Sequence, residues 1–281
     1  MRTKIKIFID FLMTIIQSRK MIGSMVVNDF RVKYASSALG IIWAFIQPTV
    51  QILVLIFVFT VGFRSGATDS GVPFALFLIC GLVPWNFFAD AVTNGSNSLV
   101  EYSYLVKKVV FRTSILPIVK SLSSLIVHSV FIILIFIVAL CFGYLPTIYT
   151  IQILYYLPCL LLYIIGINWL TSALAAFFRD ISQLINVIMQ LFVWLTPIMW
   201  QTSMIKDIYF GIGSFKISLL TVFKINPMYY IVDGYRDAFT GSTWFWEKPF
   251  WTLYFLAASS IFFVMGATIF HNLRPHFSDV L

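Results

Sequence analysis

Five stretches of this 281-residue chain hold no Asp, Glu, Lys or Arg: Leu39 to Phe63, Ser70 to Ala89, Ser121 to Phe178, Ile181 to Ile205 and Pro249 to Phe270. A bilayer crossing takes ~20 mostly apolar residues. Each stretch can therefore cross, and Ser121 to Phe178 is long enough for two crossings joined near Phe142-Gly143-Tyr144-Leu145-Pro146. Six spans are expected, at about 39–62, 74–93, 118–143, 151–176, 184–200 and 249–271. Barrel strands would alternate apolar and polar residues, whereas Val130 to Ala139 is apolar at every position. Only helices then satisfy the backbone inside lipid. The expected fold is an all-α integral membrane protein, a single transmembrane domain over 1–281. A composition of 60% hydrophobic and 11% charged residues leaves no room for a separate soluble domain.

Lys and Arg give an orientation. With a cytoplasmic amino terminus, the inside segments carry Arg2, Lys4, Lys6, Arg19, Lys20, Arg31, Lys33, Lys107, Lys108, Arg112, Arg179 and Arg274. The outside loops carry only Arg64, Lys206, Lys216, Lys224, Arg236 and Lys248. Twelve against six places both termini in the cytoplasm. The same bias, with anionic lipid head groups as partner, accounts for the net charge of +8 without nucleic acid. Charge recurs through the first 33 residues with no apolar core before a cleavage site, so the amino terminus is expected to stay. Cys80, Cys141 and Cys159 fall in spans without metal-ligand spacing and read as packing residues.

Residues 1–38 read as two interfacial helices on the cytoplasmic side. The first, 2–17, lines up Ile5, Phe8, Ile9, Leu12 and Ile16; the second repeats Ile22, Val26, Phe30 and Tyr34 among Asn28, Asp29, Arg31 and Lys33. Lipid anchoring and a gating role both fit the second. Polar amides inside the spans are costly and usually face a bundle interior or a wet path. Span one has Gln47 and Gln51 near Trp43, and span five has Gln183, Asn186 and Gln190 near Trp194. Trp43, Gln47, Gln51, Asn186, Gln190 and Trp194 are therefore the candidates for lining a path, with interhelical hydrogen bonding as the alternative. The 201–248 segment is too long for a hairpin and is expected to re-enter the outer membrane edge, with a short helix after Asn226-Pro227.

The nucleotide-cradling pattern G-x-x-x-x-G-K-[ST] is missing from the chain, so ATP would have to be hydrolysed by another subunit. Lys120 and Asp90 sit toward span ends and His128 reads as a packing histidine, which argues against an ion-coupled carrier. No acid pair or nucleophile with a base supports the remaining alternative, a membrane-embedded glycosyl- or acyltransferase.

Six stretches in register resemble one family. Asp29-Phe30-Arg31-Val32-Lys33-Tyr34 with Leu39-Gly40-Ile41-Ile42-Trp43-Ala44-Phe45 and Gln47-Pro48, then Gly81-Leu82-Val83-Pro84-Trp85, Lys107-Lys108-Val109-Val110-Phe111-Arg112, Phe178-Arg179-Asp180, Asn226-Pro227-Met228 and Leu273-Arg274-Pro275 are similar to polysaccharide-export ABC transporter permeases. The resemblance implies a homodimer in the bacterial inner membrane, joined to two copies of an ATPase subunit that binds ATP and Mg, with no cofactor on this chain. The cargo it implies is a polyprenyl-linked polysaccharide of O-antigen type, with teichoic acid or capsule as alternatives. By the same resemblance, Asn28, Asp29, Phe30, Arg31, Lys33 and Tyr34 form an entrance helix. Glu101, Tyr102, Lys107, Lys108 and Arg112 form an ATPase-coupling loop, and Asn226, Pro227, Tyr229, Tyr230, Asp233 and Arg236 form an exit segment.

Overall fold

The structure is a computed structural model that describes residues 13, 16–35, 39–108, 111–206, 208–212 and 215–281. The expected helix over 2–17 lies outside the described residues except at 13, 16 and 17. The second surface segment forms α1 (Arg19–Ala35), followed by α2 (Trp43–Phe57), which a π turn extends through Val58–Gly62. Next come α3 (Phe74–Ser96), the short α4 (Ser98–Glu101) and α5 (Ser103–Val106), then α6 (Leu116–Cys141), α7 (Ile153–Phe177) and α8 (Asp180–Leu195). A hairpin of β1 (Tyr209–Ile212) and β2 (Phe215–Ser218) precedes α9 (Leu219–Lys224), α10 (Pro227–Thr240), α11 (Pro249–Leu273) and α12 (Phe277–Val280).

Among the described residues, five helical stretches are long and apolar enough to cross a bilayer: Gly40–Gly62, Phe74–Ser96, Thr113–Cys141, Ile148–Phe177 and Pro249–Val280. The expected fifth span is shorter than the 184–200 reading required. It is the 16-residue α8, about 24 Å long against ~30 Å of hydrocarbon. Its end has a steric cause: a residue before proline is pushed out of the helical region, and Thr196, ahead of Pro197, is extended with ψ 131°. The all-α expectation is amended by the antiparallel hairpin, in which Tyr209 pairs Ser218 and Ile212 pairs Phe215. Aromatic and β-branched residues around Gly213-Ser214 favour such a hairpin locally.

The helices run between two ends. At one end α1, the 98–108 turn and the Arg274–Phe277 turn gather: Lys107, Lys108, Arg274 and Phe277 line one cleft, and the Phe177 and Phe277 rings lie 6.1 Å apart. At the other end the Asp69 amide donates to Gln201 Oε1 at 2.9 Å, and the Arg236 guanidinium donates to the carbonyls of Ile198 and Phe77. Helix α8 runs from the first end to the second. α10 is folded in rather than laid on a surface. Asn226 caps it by accepting from the Met228 amide while donating to Thr196 Oγ1 at 2.8 Å, and Met228, Ile231, Val232, Tyr235 and Ala238 are buried.

α3 is the hub, packing against α6, α7, α8 and α10, with Leu76, Leu78, Leu82, Ala91 and Val92 fully enclosed. α7 and α11 approach more closely than ordinary side chains permit. A Cβ placed on Gly166 would lie 2.6 Å from the Phe263 amide nitrogen, and one on Gly266 would fall on the Gly166 carbonyl oxygen. Small residues let membrane helices gain this contact where lipid supplies no hydrophobic drive. Gly166→Val or Gly266→Val is expected to cost at least about 2 kcal/mol, read as a lowered Tm of the detergent-solubilised protein. An unchanged Tm for both would disprove the close crossing.

Candidate functional site

α1 docks on the bundle by one face. Ser18, Ile22, Val26 and Asp29 are buried, and their spacing of four, four and three residues keeps them on one side of a helix. Phe30 and Tyr34, expected on the apolar ridge, are only half-buried and meet edge to face at 5.6 Å. Asp29 takes the enclosed place instead, while Asn28 and Arg31 are exposed. Arg112 donates to Ser18 Oγ at 3.0 Å, so the start of this face meets the loop after α5.

Two charged clusters hold the rest of the face. Asp29 accepts from Lys120 Nζ at 2.7 Å and from the Tyr102 hydroxyl at 2.5 Å, and Lys120 also pairs Glu101 at 2.7 Å. Burial, followed by the hydrogen bond to Asp29, pushes the Tyr102 phenol well above its ordinary pKa, which keeps it a neutral donor. One turn further along α1, Lys33 Nζ bonds both Asp90 oxygens at 2.9 and 3.2 Å. Asp90 also accepts from Asn94 Nδ2 at 2.8 Å and Ser124 Oγ at 2.5 Å. Burial alone would lower the Lys33 pKa; the Asp90 carboxylate more than reverses this, and the ammonium titrates above its ordinary value. Asp90 and Lys120 sit toward the span ends, as read from the sequence, and the partners of opposite sign were the missed signal.

Above the Lys33–Asp90 pair lies a cavity of about 270 Å³ between α1, α2, α3 and α6. Lys33, Tyr34, Trp43, Gln47, Gln51, Asn86, Asp90, Ser124 and His128 line it. The structure thus joins the entrance-helix and span-one candidates at one site and adds Asn86, Asp90 and Ser124. His128 is a packing residue: its ring stacks on Phe87 at 4.5 Å and its Nε2 meets the Tyr235 hydroxyl at 2.9 Å. The one cation and one anion of the lining cancel. What remains to a ligand is amides, a hydroxyl and aromatic faces, the donor and acceptor set that suits an uncharged polyol.

The span-five candidates lie elsewhere. Gln183, Asn186, Gln190 and Trp194 share one side of α8; Gln190 and Trp194 are exposed and Asn186 half-buried. The opposite side, through Ile185, Met189 and Phe192, borders an apolar cavity of about 710 Å³ shared with α3, α7, α9 and α11. On α2, Trp43, Gln47, Gln51 and Val54 are exposed alongside Val50 and Phe57. Lys107 and Lys108 face Arg274 across a cleft of about 240 Å³. At the far end Asp233 and Asp237 both take Lys248, and Asp233 does so at 2.7 Å. Tyr229 is buried, and the Tyr230 hydroxyl lies between those of Tyr155 at 3.2 Å and Thr252 at 2.9 Å.

Five helices of spanning length among the described residues, with amides exposed on α2 and on the shorter apolar α8, describe a multi-pass membrane protein that leaves polar faces uncovered by its own fold. The chain belongs to the ABC-2 type transporter family, whose sequence model matches residues 21–240. It is therefore a permease, a transport subunit that partners an ATPase subunit. It is 27% identical over 262 residues to the O-antigen export system permease protein RfbA of Klebsiella pneumoniae, covering 90% of this chain and 92% of that one. It is 25% identical to the protein of the same name from Myxococcus xanthus, over 94% and 96% of the two chains. The Polysialic acid transport protein KpsM of Escherichia coli is 22% identical over 77% of this chain and 80% of its own.

Losing the Lys33–Asp90 pair should loosen α1 without unfolding the bundle. Because both side chains are partly exposed, Asp90→Ala is expected to cost about 1 kcal/mol, seen as faster hydrogen exchange across α1 with unchanged protection in α7. Equal exchange in parent and variant would show that the pair does not hold the helix.

Proposed function

We propose that this chain carries a polyprenyl-linked polysaccharide of O-antigen type across the bacterial inner membrane, as a homodimer with two copies of the ATPase subunit. The carrying observation is the exposure of Gln47, Gln51 and Gln190 on helices otherwise apolar enough for lipid. An amide facing hydrocarbon without a partner costs several kcal/mol, so these faces are read as turned toward a shared, hydrated path between two copies. Tyr34 and Trp43 beside Gln47 and Gln51 supply aromatic surface and amide hydrogen bonds, which a repeating glycan can use at any register.

On this reading α8 and the bend after it make a sixth crossing. The end that gathers α1, the 98–108 turn and Arg274 is cytoplasmic, in keeping with its share of Lys and Arg. The segment around Asn226, Pro227, Tyr229, Tyr230, Asp233 and Arg236 is the exit. The relatives named for O-antigen export, similar over nine-tenths or more of this chain, support the cargo class. The likeness to a polysialic acid transporter keeps a capsular polymer as the second reading. An anionic polymer would favour a basic path, whereas Lys33 and Lys120 are both neutralised by carboxylates, which favours a neutral glycan.

Gln51→Leu combined with Gln190→Leu is expected to slow export by roughly tenfold, the scale of losing about 1.4 kcal/mol of path solvation, with the permease–ATPase complex still assembling. Export at the parent rate, scored by surface polysaccharide, would remove these faces from the path. Charge reversal at Arg112 is expected to raise the ATP consumed per glycan exported; an unaltered ratio would place the ATPase contact elsewhere.

A further inference from the structure

Lys120 is 4% exposed near the start of α6, yet two other elements, α1 and the 98–106 turn, converge on its ammonium. Asp29 reaches it from α1 and Glu101 from α4, each at 2.7 Å, and the Tyr102 ring lies 5.0 Å away. The Tyr102 hydroxyl donates to the same Asp29 oxygen that Lys120 holds, which closes the cluster. We propose that Lys120 is a positioning residue that makes the 98–106 turn and α1 move as one unit, so that a displacement delivered to the turn is passed to the cavity beneath α2. The proposal rests on the reading of that turn as the surface facing the ATPase subunit.

The arrangement has a direction. Glu101 is 55% exposed and Asp29 is 3% exposed, so the cluster has one end open to a docking partner and one end sealed against α1. Asp29 lies one helical turn from Lys33, and Lys33 holds Asp90 in the lining of the cavity. The connected groups therefore run from the exposed carboxylate, through Lys120 and Asp29, along one face of α1 to the cavity that also contains Gln47. An ammonium suits the joint because its attraction has little angular dependence and its three donors can keep both carboxylates through small shifts. Stability alone does not call for it. A well-packed apolar side chain in place of a buried ion pair is often neutral or favourable, and the better-attested use of such pairs is to fix register or bias a switch. Hydrophobic contact among Ile22, Val26, Leu99, Val106 and Val119 already glues the same elements together. Such contact tolerates sliding, whereas the charged joint fixes which turn of α1 meets which residue of the loop.

The test uses the intact permease–ATPase complex in lipid vesicles with Glu101→Gln, Lys120→Met and the swap Asp29→Lys with Lys120→Asp. Two quantities are read: glycan exported per ATP hydrolysed, and the distance between spin labels at Ser24→Cys and Tyr104→Cys in each nucleotide state. In the parent the label distance is expected to stay fixed as nucleotide changes. In Lys120→Met it is expected to vary, and glycan per ATP is expected to fall roughly threefold or more, the range for residues that carry coupling. Glu101→Gln, at a half-exposed side chain, is expected to fall in the same direction and carries the test if Lys120→Met fails to fold. The swap re-forms an ion pair between α1 and α6 but sets a carboxylate at position 120 against Glu101, so it is expected to leave the ratio low; recovery to the parental ratio would show that the link to the turn plays no part and would overturn the proposal. A cross-link from Tyr104→Cys to the ATPase subunit together with parental ratios in Lys120→Met and Glu101→Gln would overturn the proposal alone. Failure of Tyr104→Cys to cross-link would overturn the reading of the turn, and the proposal with it.

Discussion

Hydrocarbon offers no hydrogen bonds to a polypeptide, and everything in this protein is arranged around that deficit. Backbone groups are satisfied within helices of spanning length, and charged side chains collect at the two ends of the bundle. Where a charge sits deeper, it meets a partner of opposite sign or, at Arg236, backbone carbonyls. Asp29 and Lys120 are almost wholly enclosed and within 2.7 Å of each other, and Asp90 takes Lys33, Asn94 and Ser124 together. The same deficit explains why α1, amphipathic and short of spanning length, lies across the bundle end instead of entering it. Its buried face sets Ile22 and Val26 between Ser18 and Asp29, two polar groups that each have a partner.

Much of this was legible from the chain. Uncharged runs of about 20 residues identify the spanning helices because length and transfer energy alone decide them, and Asn226-Pro227 fits the capped helix start that forms there. The misplaced elements were those set by local sterics or distant partners. α8 ends at Leu195 because of the proline two residues on, although apolar sequence continues to Trp200. The hairpin of β1 and β2 falls in a segment whose length and apolar content suggest only that it re-enters the membrane edge. Phe30 and Tyr34 looked like ridge residues from periodicity, while Asp29 owes its enclosed position to Lys120 and Tyr102, 91 and 73 residues away along the chain. No local pattern encodes such a pairing, although Lys120 at the edge of the uncharged run Ser121 to Phe178 is a sign that a carboxylate must reach it. The path-lining candidates divide in the same way. Gln47 and Gln51 share a cavity with Lys33 and Tyr34, whereas Gln190 and Trp194 on α8 stand apart from it.

The chain is packed unevenly. α3 is enclosed by four helices, whereas α2 is the least buried of the five spanning stretches and rests on the bundle through a narrow edge that includes Ala44 and Ile52. α8 likewise turns its amide side outward. The helices that carry exposed amides are thus the ones least committed to the core, as expected for surfaces completed by a second copy or by water. A well-enclosed α2 would have left its glutamines either stranded in hydrocarbon or tied up in structural hydrogen bonds.

The crossing of α7 over α11 at Gly166 and Gly266 sets the mechanical character of the whole. Two helices in near backbone contact have no side-chain layer to deform and cannot slide without collision, so α7 and α11 form a stiff frame. α2 packs by one edge against α3, like a shutter on its hinge. If the cargo path runs along α2 as proposed, widening for a bulky cargo falls on the shutter and costs little repacking, while the frame holds its shape.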